Sequence, residues 1–162
     1  MTDTAKVLSI YHDSVVDGEG VRTVIFFAGC EHFCKGCHNP KSWNIQNGTE
    51  MTVKEIVKEA LNPITDITLS GGDPFYQAPV VKQVARDLKE HGKNIWAYTG
   101  WTLEELQASK DEDKLELLTY IDVIVDGRFE IDKRDLSLQF RGSSNQEIIE
   151  LDNGLRKTSY QK

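Results

Sequence analysis

Four short runs along the chain are almost wholly apolar: TVIFFA (Thr23–Ala28), DITLS (Asp66–Ser70), NIWAY (Asn94–Tyr98) and DVIVD (Asp122–Asp126). Runs of this length without polar alternation predict strands covered on both faces, as in a parallel sheet. Two weaker runs, LSLQF (Leu136–Phe140) and EIIEL (Glu147–Leu151), predict further strands. Between the runs the apolar positions change to helical spacing. Val53, Ile56, Val57, Ala60 and Leu61 form one stripe, opened by a Thr52–Glu55 capping box and stopped by Pro63. A second helix is predicted from about Pro79 to His91, with Val80, Val81, Val84 and Leu88 inward and Gly92 just past its end. Thr102 and Glu105 offer another capping box for a helix through Leu106, and Lys114–Tyr120 suits a further turn or two.

Strand alternating with helix is the signature of right-handed βαβ crossovers. A closed eight-stranded barrel needs about 200 residues or more, and 162 are present. The last two strand candidates also lack a helix between them. The expected fold is therefore α/β, an incomplete (partial) TIM-type βα barrel with a curved, mostly parallel sheet. Neither an internal repeat nor a low-complexity tract interrupts it, so residues 1–162 read as one domain with its core at about 17–151.

Composition narrows the function classes. The formal charge is −7, and nucleic-acid binding calls for a basic face, which does not stand out. The basic end LRKTSYQK reads as a solvated, fraying tail. Apolar runs are all too short to span a bilayer, and MTDTAKVLSIYHDS does not read as a secretory signal. A cytoplasmic protein is expected, with neither nucleic acid nor membrane as partner.

All three cysteines lie in GCEHFCKGCHNP, just after the first strand: Cys30, Cys34 and Cys37. An odd, clustered set does not make a disulfide framework; it points to metal in a reducing compartment. In a parallel α/β fold, reactive residues gather on loops after the C-terminal strand ends, which is where this stretch falls. C-x3-C-x2-C puts three thiolates within reach of one polynuclear cluster, with Gly29 and Gly36 allowing a tight loop. Iron–sulfur clusters generally take four cysteines, so three would leave one iron open to a small molecule. A structural zinc held by the three cysteines and His38 or His32 is the competing reading.

The spacing C-x3-C-x2-C after a first strand resembles the radical S-adenosylmethionine superfamily. That resemblance implies a 4Fe–4S cluster on Cys30, Cys34 and Cys37, with S-adenosylmethionine chelating the fourth iron. Many members carry an aromatic residue before the third cysteine, where this chain has Gly36. The fuller pattern C-x-H-x-C-x-G-C-x-N, here Cys30, His32, Cys34, Gly36, Cys37 and Asn39, resembles the activating components of anaerobic ribonucleotide reductases. The lead-in VDGEGVRTVIFF (Val16–Phe27) resembles glycyl-radical activases and some small radical enzymes; the competing structural reading is a Gly-rich turn with Arg22 in a surface ion pair. SGGDP (Ser70–Pro74) opens backbone groups to a ligand, and Asp73 can accept from an ammonium group. By the resemblance, cofactor contacts fall on Gly36, Cys37, His38, Gly71, Gly72 and Asp73, and AYTGWT, VDGRF and RGSSNQ correspond to later family segments. Trp96 reads as core, Trp101 as core or partner surface, Arg141 as a loop anchor, and Asp126 and Arg128 as ribose or partner contacts.

The implied activity is reductive cleavage of S-adenosylmethionine to a 5′-deoxyadenosyl radical, which takes a hydrogen atom from a backbone glycine of a large reductase. No residue need act as a general acid or base; positioning at about 3–3.5 Å is what the chemistry demands. The implied partners are the large catalytic subunit of an anaerobic ribonucleotide reductase, a flavodoxin-like or other electron donor, and a second copy of the chain. Activation of another glycyl-radical enzyme of the pyruvate formate-lyase type, a small-molecule radical enzyme and the zinc module stay open as alternatives.

Overall fold

A computed structural model describes residues 3–32, 34, 37 and 40–159. The chain begins with β1 (Thr4–Ser14) and β2 (Arg22–Phe27), then β3 (Thr49–Thr52) and α1 (Val53–Ala60). There follow β4 (Asp66–Gly71), α2 (Ala78–Glu90), β5 (Ile95–Tyr98), α3 (Leu103–Ala108), α4 (Glu112–Thr119) and β6 (Val123–Asp126). The chain closes with β7 (Glu147–Asp152) and β8 (Leu155–Ser159). The strands form one eight-stranded sheet in the order β3-β1-β2-β4-β5-β6-β7-β8.

The four strongest apolar runs become the parallel centre, β2 to β4 to β5 to β6. Both flanks are antiparallel: β3 and β1 on one side, β7 and β8 on the other. The sheet is thus mixed rather than mostly parallel. Both capping boxes form, at Thr52 with Glu55 and at Thr102 with Glu105. Pro79 sits in the first turn of α2, and Gly92 follows its end at φ 78. The last helix starts earlier than its apolar spacing suggests, because the Asp111 side chain caps it by accepting from Asp113 N and Lys114 N.

Two expectations are corrected. LSLQF is bends and turns; Leu136 is exposed and Phe140 sits at φ 66, outside the strand region. The edge of β6 is already taken by β7, so this run has no strand to pair with. The basic tail is not frayed through Ser159, since Leu155–Ser159 pairs with β7 and Arg156 binds Glu147 at 2.7 Å. In addition, β1 and β3, which no apolar run announced, extend the sheet beyond TVIFFA.

Side-chain alternation assigns the two faces of the sheet. Ile25, Phe27, Ile67, Leu69, Ile95, Ala97, Ile124 and Ile149 share the main core with helical residues such as Ile56, Val84, Leu88 and Leu117. The intervening Trp96, Val123 and Val125 form a second, smaller cluster with Tyr98, Phe140 and Ile148. Helices therefore seal one face only, and loops cover the other. Among the described residues no helix is long and apolar enough to cross a membrane.

Candidate functional site

A cavity of about 730 Å³ lies over the loop-covered face. Its wall at the C-terminal strand ends takes Cys30, His32, Cys34 and Cys37 after β2, Gly71 and Gly72 from β4 and the turn after it, Thr99 and Gly100 after β5, and Gly127 and Phe129 after β6. The loop between β1 and β2 adds Val15, Val16 and Asp17, and the loop before β7 adds Phe140, Arg141 and Gln146. Val15 and Val16 are also 64% and 70% exposed, so the mouth of the cavity is apolar.

The three cysteines thus share one wall, and none is in a disulfide. Cys30 is buried, and its backbone N–H donates to Trp43 O at 3.2 Å. Burial pushes the Cys34 thiol above its ordinary pKa, while a hydrogen bond from the Phe129 backbone N–H and the nearby Arg128 charge pull it down. Neighbouring Cys37 acts with burial. Among the described residues no three His, Cys, Asp or Glu side chains close on a single-ion position. All three cysteines line one cavity together with Gly71 and Gly72. His32, a candidate fourth zinc ligand, gives its Nε2 to Asp73.

The two glycines of SGGDP are required by close chain approach. Gly71 sits at φ 103, and a Cβ there would collide with the Phe27 backbone. A Cβ on Gly72 would meet the carbonyl oxygens of Gly29 and Ser42. The resulting seam is hydrogen-bonded: Gly72 N donates to Phe27 O at 2.7 Å, Asp73 N to Gly29 O at 2.9 Å, and Gly29 N to Ser42 O at 2.7 Å. The cysteine loop is thereby stitched to the end of β4.

Asp73 itself does not reach the cavity wall. Its carboxylate is 1% exposed and accepts from Phe75 N, Thr99 Oγ1, Gly100 N and His32 Nε2, at 3.0, 2.9, 3.0 and 2.7 Å. The sequence-level candidates Cys30, Cys34, Cys37, Gly71 and Gly72 are brought together; Gly36, His38 and Asn39 lie outside the described residues.

Arg22 is not in a surface ion pair. It is 2% exposed, donates to Thr68 Oγ1, Glu19 O, Ile67 O, Asn94 O and Asn94 Oδ1 at 2.6–3.0 Å, and lies over the Trp96 ring. Burial lowers its pKa to about 10. Thr68 Oγ1 passes the chain on to Asp17 O at 2.6 Å. The D-G-x-G-x-R turn is therefore clamped to β4 and to Asn94 just before β5, and Gly18, at φ 124, leaves room for Arg22 and Trp96.

The remaining candidates are structural in their contacts. Asp126 accepts from Leu103 N at 2.8 Å at the start of α3. Arg128 makes an exposed 3.4 Å pair with Glu105, and Arg141 donates to Gln146 O within its own loop. Trp96 is core, as expected. Trp101 makes a T-shaped contact with His32, ring centroids 4.9 Å apart, and lies under Lys114 and Arg128. Sequence reading singled out AYTGWT as a family segment but gave Thr99 and Gly100 no role, because a Thr-Gly pair after a strand carries no signal beyond a turn.

Residues 16–149 match the family model of the 4Fe-4S single cluster domain. The anaerobic ribonucleoside-triphosphate reductase-activating protein of Pasteurella multocida is 40% identical over 150 residues, 85% of this chain and 92% of its own length. Its counterpart from Haemophilus influenzae is 39% identical over 153 residues, 87% of this chain and 95% of the relative. That of Vibrio cholerae is 39% identical over 149 residues, covering 85% and 93%. The chain therefore belongs to the 4Fe-4S single cluster domain family and, within it, to the anaerobic ribonucleoside-triphosphate reductase-activating proteins.

Proposed function

We propose that this chain activates the large subunit of an anaerobic ribonucleoside-triphosphate reductase as a radical S-adenosylmethionine enzyme. The observation that carries the reading is one cavity walled jointly by Cys30, Cys34, Cys37 and the glycine-rich ends of the parallel strands. Its volume falls in the range of small-molecule sites, roughly 300–1,000 Å³. Cys30, Cys34 and Cys37 would hold the 4Fe–4S cluster, leaving one iron open to S-adenosylmethionine. Bound there, the cluster would supply one-electron reductive cleavage of S-adenosylmethionine, drawing the electron from an external donor, and with it hydrogen-atom abstraction from a glycine.

The chain's own part is to bind and orient. Gly71 and Gly72 line the cavity, and Thr99, Tyr98 and Arg141 offer polar contacts around it. Exposed Val15 and Val16 at the mouth suit an incoming peptide segment. The fold is read further as an incomplete βα barrel in a single domain, supported by the parallel centre and the single helical layer, with a core that extends from about 17–151 to Ala5 and Val7 of β1. A flavodoxin-like donor, a homodimer and a cytoplasmic setting complete the proposal.

The test is anaerobic reconstitution with iron and sulfide, reduction, and incubation with S-adenosylmethionine and the reductase. A glycyl radical in the electron paramagnetic resonance spectrum is expected. Deoxyadenosine release without a glycyl radical on any reductase would sink the activase reading. Replacing Cys30, Cys34 or Cys37 by Ala should abolish cluster binding, and full iron content in any of the three would overturn that ligand's assignment.

A further inference from the structure

We infer that His32 is the positioning residue of the cysteine loop and that Asp73 is its anchor rather than a cofactor contact. The inference rests on reading Cys30, Cys34 and Cys37 as the cluster ligands. His32 stands two residues from Cys30 and two from Cys34, so fixing it restrains both thiols within about 7 Å of chain. The ring is held on three sides. Its Nε2 meets Asp73 Oδ2 at 2.7 Å, it makes a T-shaped contact with Trp101 with centroids 4.9 Å apart, and its Cγ, Cδ2 and Nε2 lie where Gly100 has no side chain. A Cβ on Gly100 would collide with the ring. The His32 side chain is left only 3% exposed.

Asp73 has no acceptor capacity to spare. Among the described residues, every group that faces its two oxygens is a donor: two backbone N–H groups, the Thr99 hydroxyl and the imidazole. Because a carboxylate oxygen accepts, the His32 proton sits on Nε2. A ligand ammonium would have to displace one of these donors from a group that is 1% exposed. The carboxylate instead ties three loops together: that after β2 through His32, that after β4 through Phe75, and that after β5 through Thr99 and Gly100. The histidine of C-x-H-x-C and the aspartate of SGGDP are thus two ends of one strut.

Hydrogen-bond partners that orient metal ligands typically carry a 10–100-fold effect on metal affinity. The experiment follows cluster loss from the anaerobically reconstituted full chain into a ferrous chelator, together with iron and sulfide per chain. His32→Leu, which fills space but donates nothing, should lose the cluster roughly 10–100-fold faster. His32→Gln, whose amide N–H reaches as far as Nε2, should restore most of the retention. Gly100→Ala should lose the cluster as His32→Leu does, and should add nothing in a His32→Ala background. Equal behaviour of the Leu and Gln variants, or independent addition of Gly100→Ala and His32→Ala, would overturn the strut while leaving the ligand assignment standing. A wild-type chain that takes up neither iron nor sulfide would overturn the ligand reading, and the strut with it.

Discussion

Arg22 shows what a single residue does in this fold. A guanidinium buried to 2% exposure is held by carbonyl, hydroxyl and amide oxygens from three neighbouring segments. Its planar fork suits that array, whereas a lysine ammonium is a point donor. Arg22→Lys should therefore leave buried acceptors unsatisfied and lower the unfolding free energy by about 1–3 kcal/mol. Urea unfolding of the cluster-free chain measures this, and an unchanged midpoint and slope would contradict it. Asp126 allows a test by pH. Burial pushes its carboxyl above the ordinary range, against the pull of N–H donors from Leu103 and Glu147. A raised folded-state pKa gives stability present below the ordinary carboxylate value, about 3.9, and lost as pH rises through the folded value. Asn at 126 keeps an acceptor and does not titrate. The stability of wild type relative to Asp126→Asn should fall from acid toward neutral pH; a rise would reverse the assignment.

Elements whose cause is local were legible in the sequence. The Thr52–Glu55 and Thr102–Glu105 boxes both form with reciprocal bonds of 2.9–3.1 Å. Thr52→Ala or Thr102→Ala should each cost about 1 kcal/mol, read as a shift in the urea midpoint. No shift in either variant would mean that packing alone sets the helix start. The parallel strands were legible too, since burial on both faces leaves a continuous apolar signature. The edges were not. β1 buries Ala5 and Val7 but exposes Tyr11, so its pattern changes along its length. β8 exists because β7 offers an edge, a fact that LRKTS does not carry. LSLQF has the alternation of a strand without a neighbour to pair with. In the site, the cysteine spacing announced itself, whereas the His32–Asp73 contact joins residues 41 positions apart and needs the fold to appear.

On the scale of the whole molecule, stability and binding are divided between the two faces of one sheet. The helical face holds the fully buried aliphatic core, with Leu88 of α2 at 0% exposure. The opposite face is closed by loops and carries the cavity, where Phe140 lies edge-on to Trp96 at 5.3 Å. A side chain removed from the first face leaves a void in packed protein, costing about 2–5 kcal/mol for Leu to Ala. A side chain removed from the second enlarges a space that already exists. Leu88→Ala should therefore lower the unfolding free energy by that amount while its folded, reconstituted form binds S-adenosylmethionine as wild type does. Phe140→Ala should do the reverse, weakening cofactor binding with a smaller loss of stability. Chemical unfolding of the cluster-free chain and anaerobic equilibrium dialysis of the reconstituted chain give the two numbers for each variant. If Phe140→Ala proved as destabilising as Leu88→Ala and left dialysis unchanged, the loop-covered face would be a second core, and the division of labour would not hold.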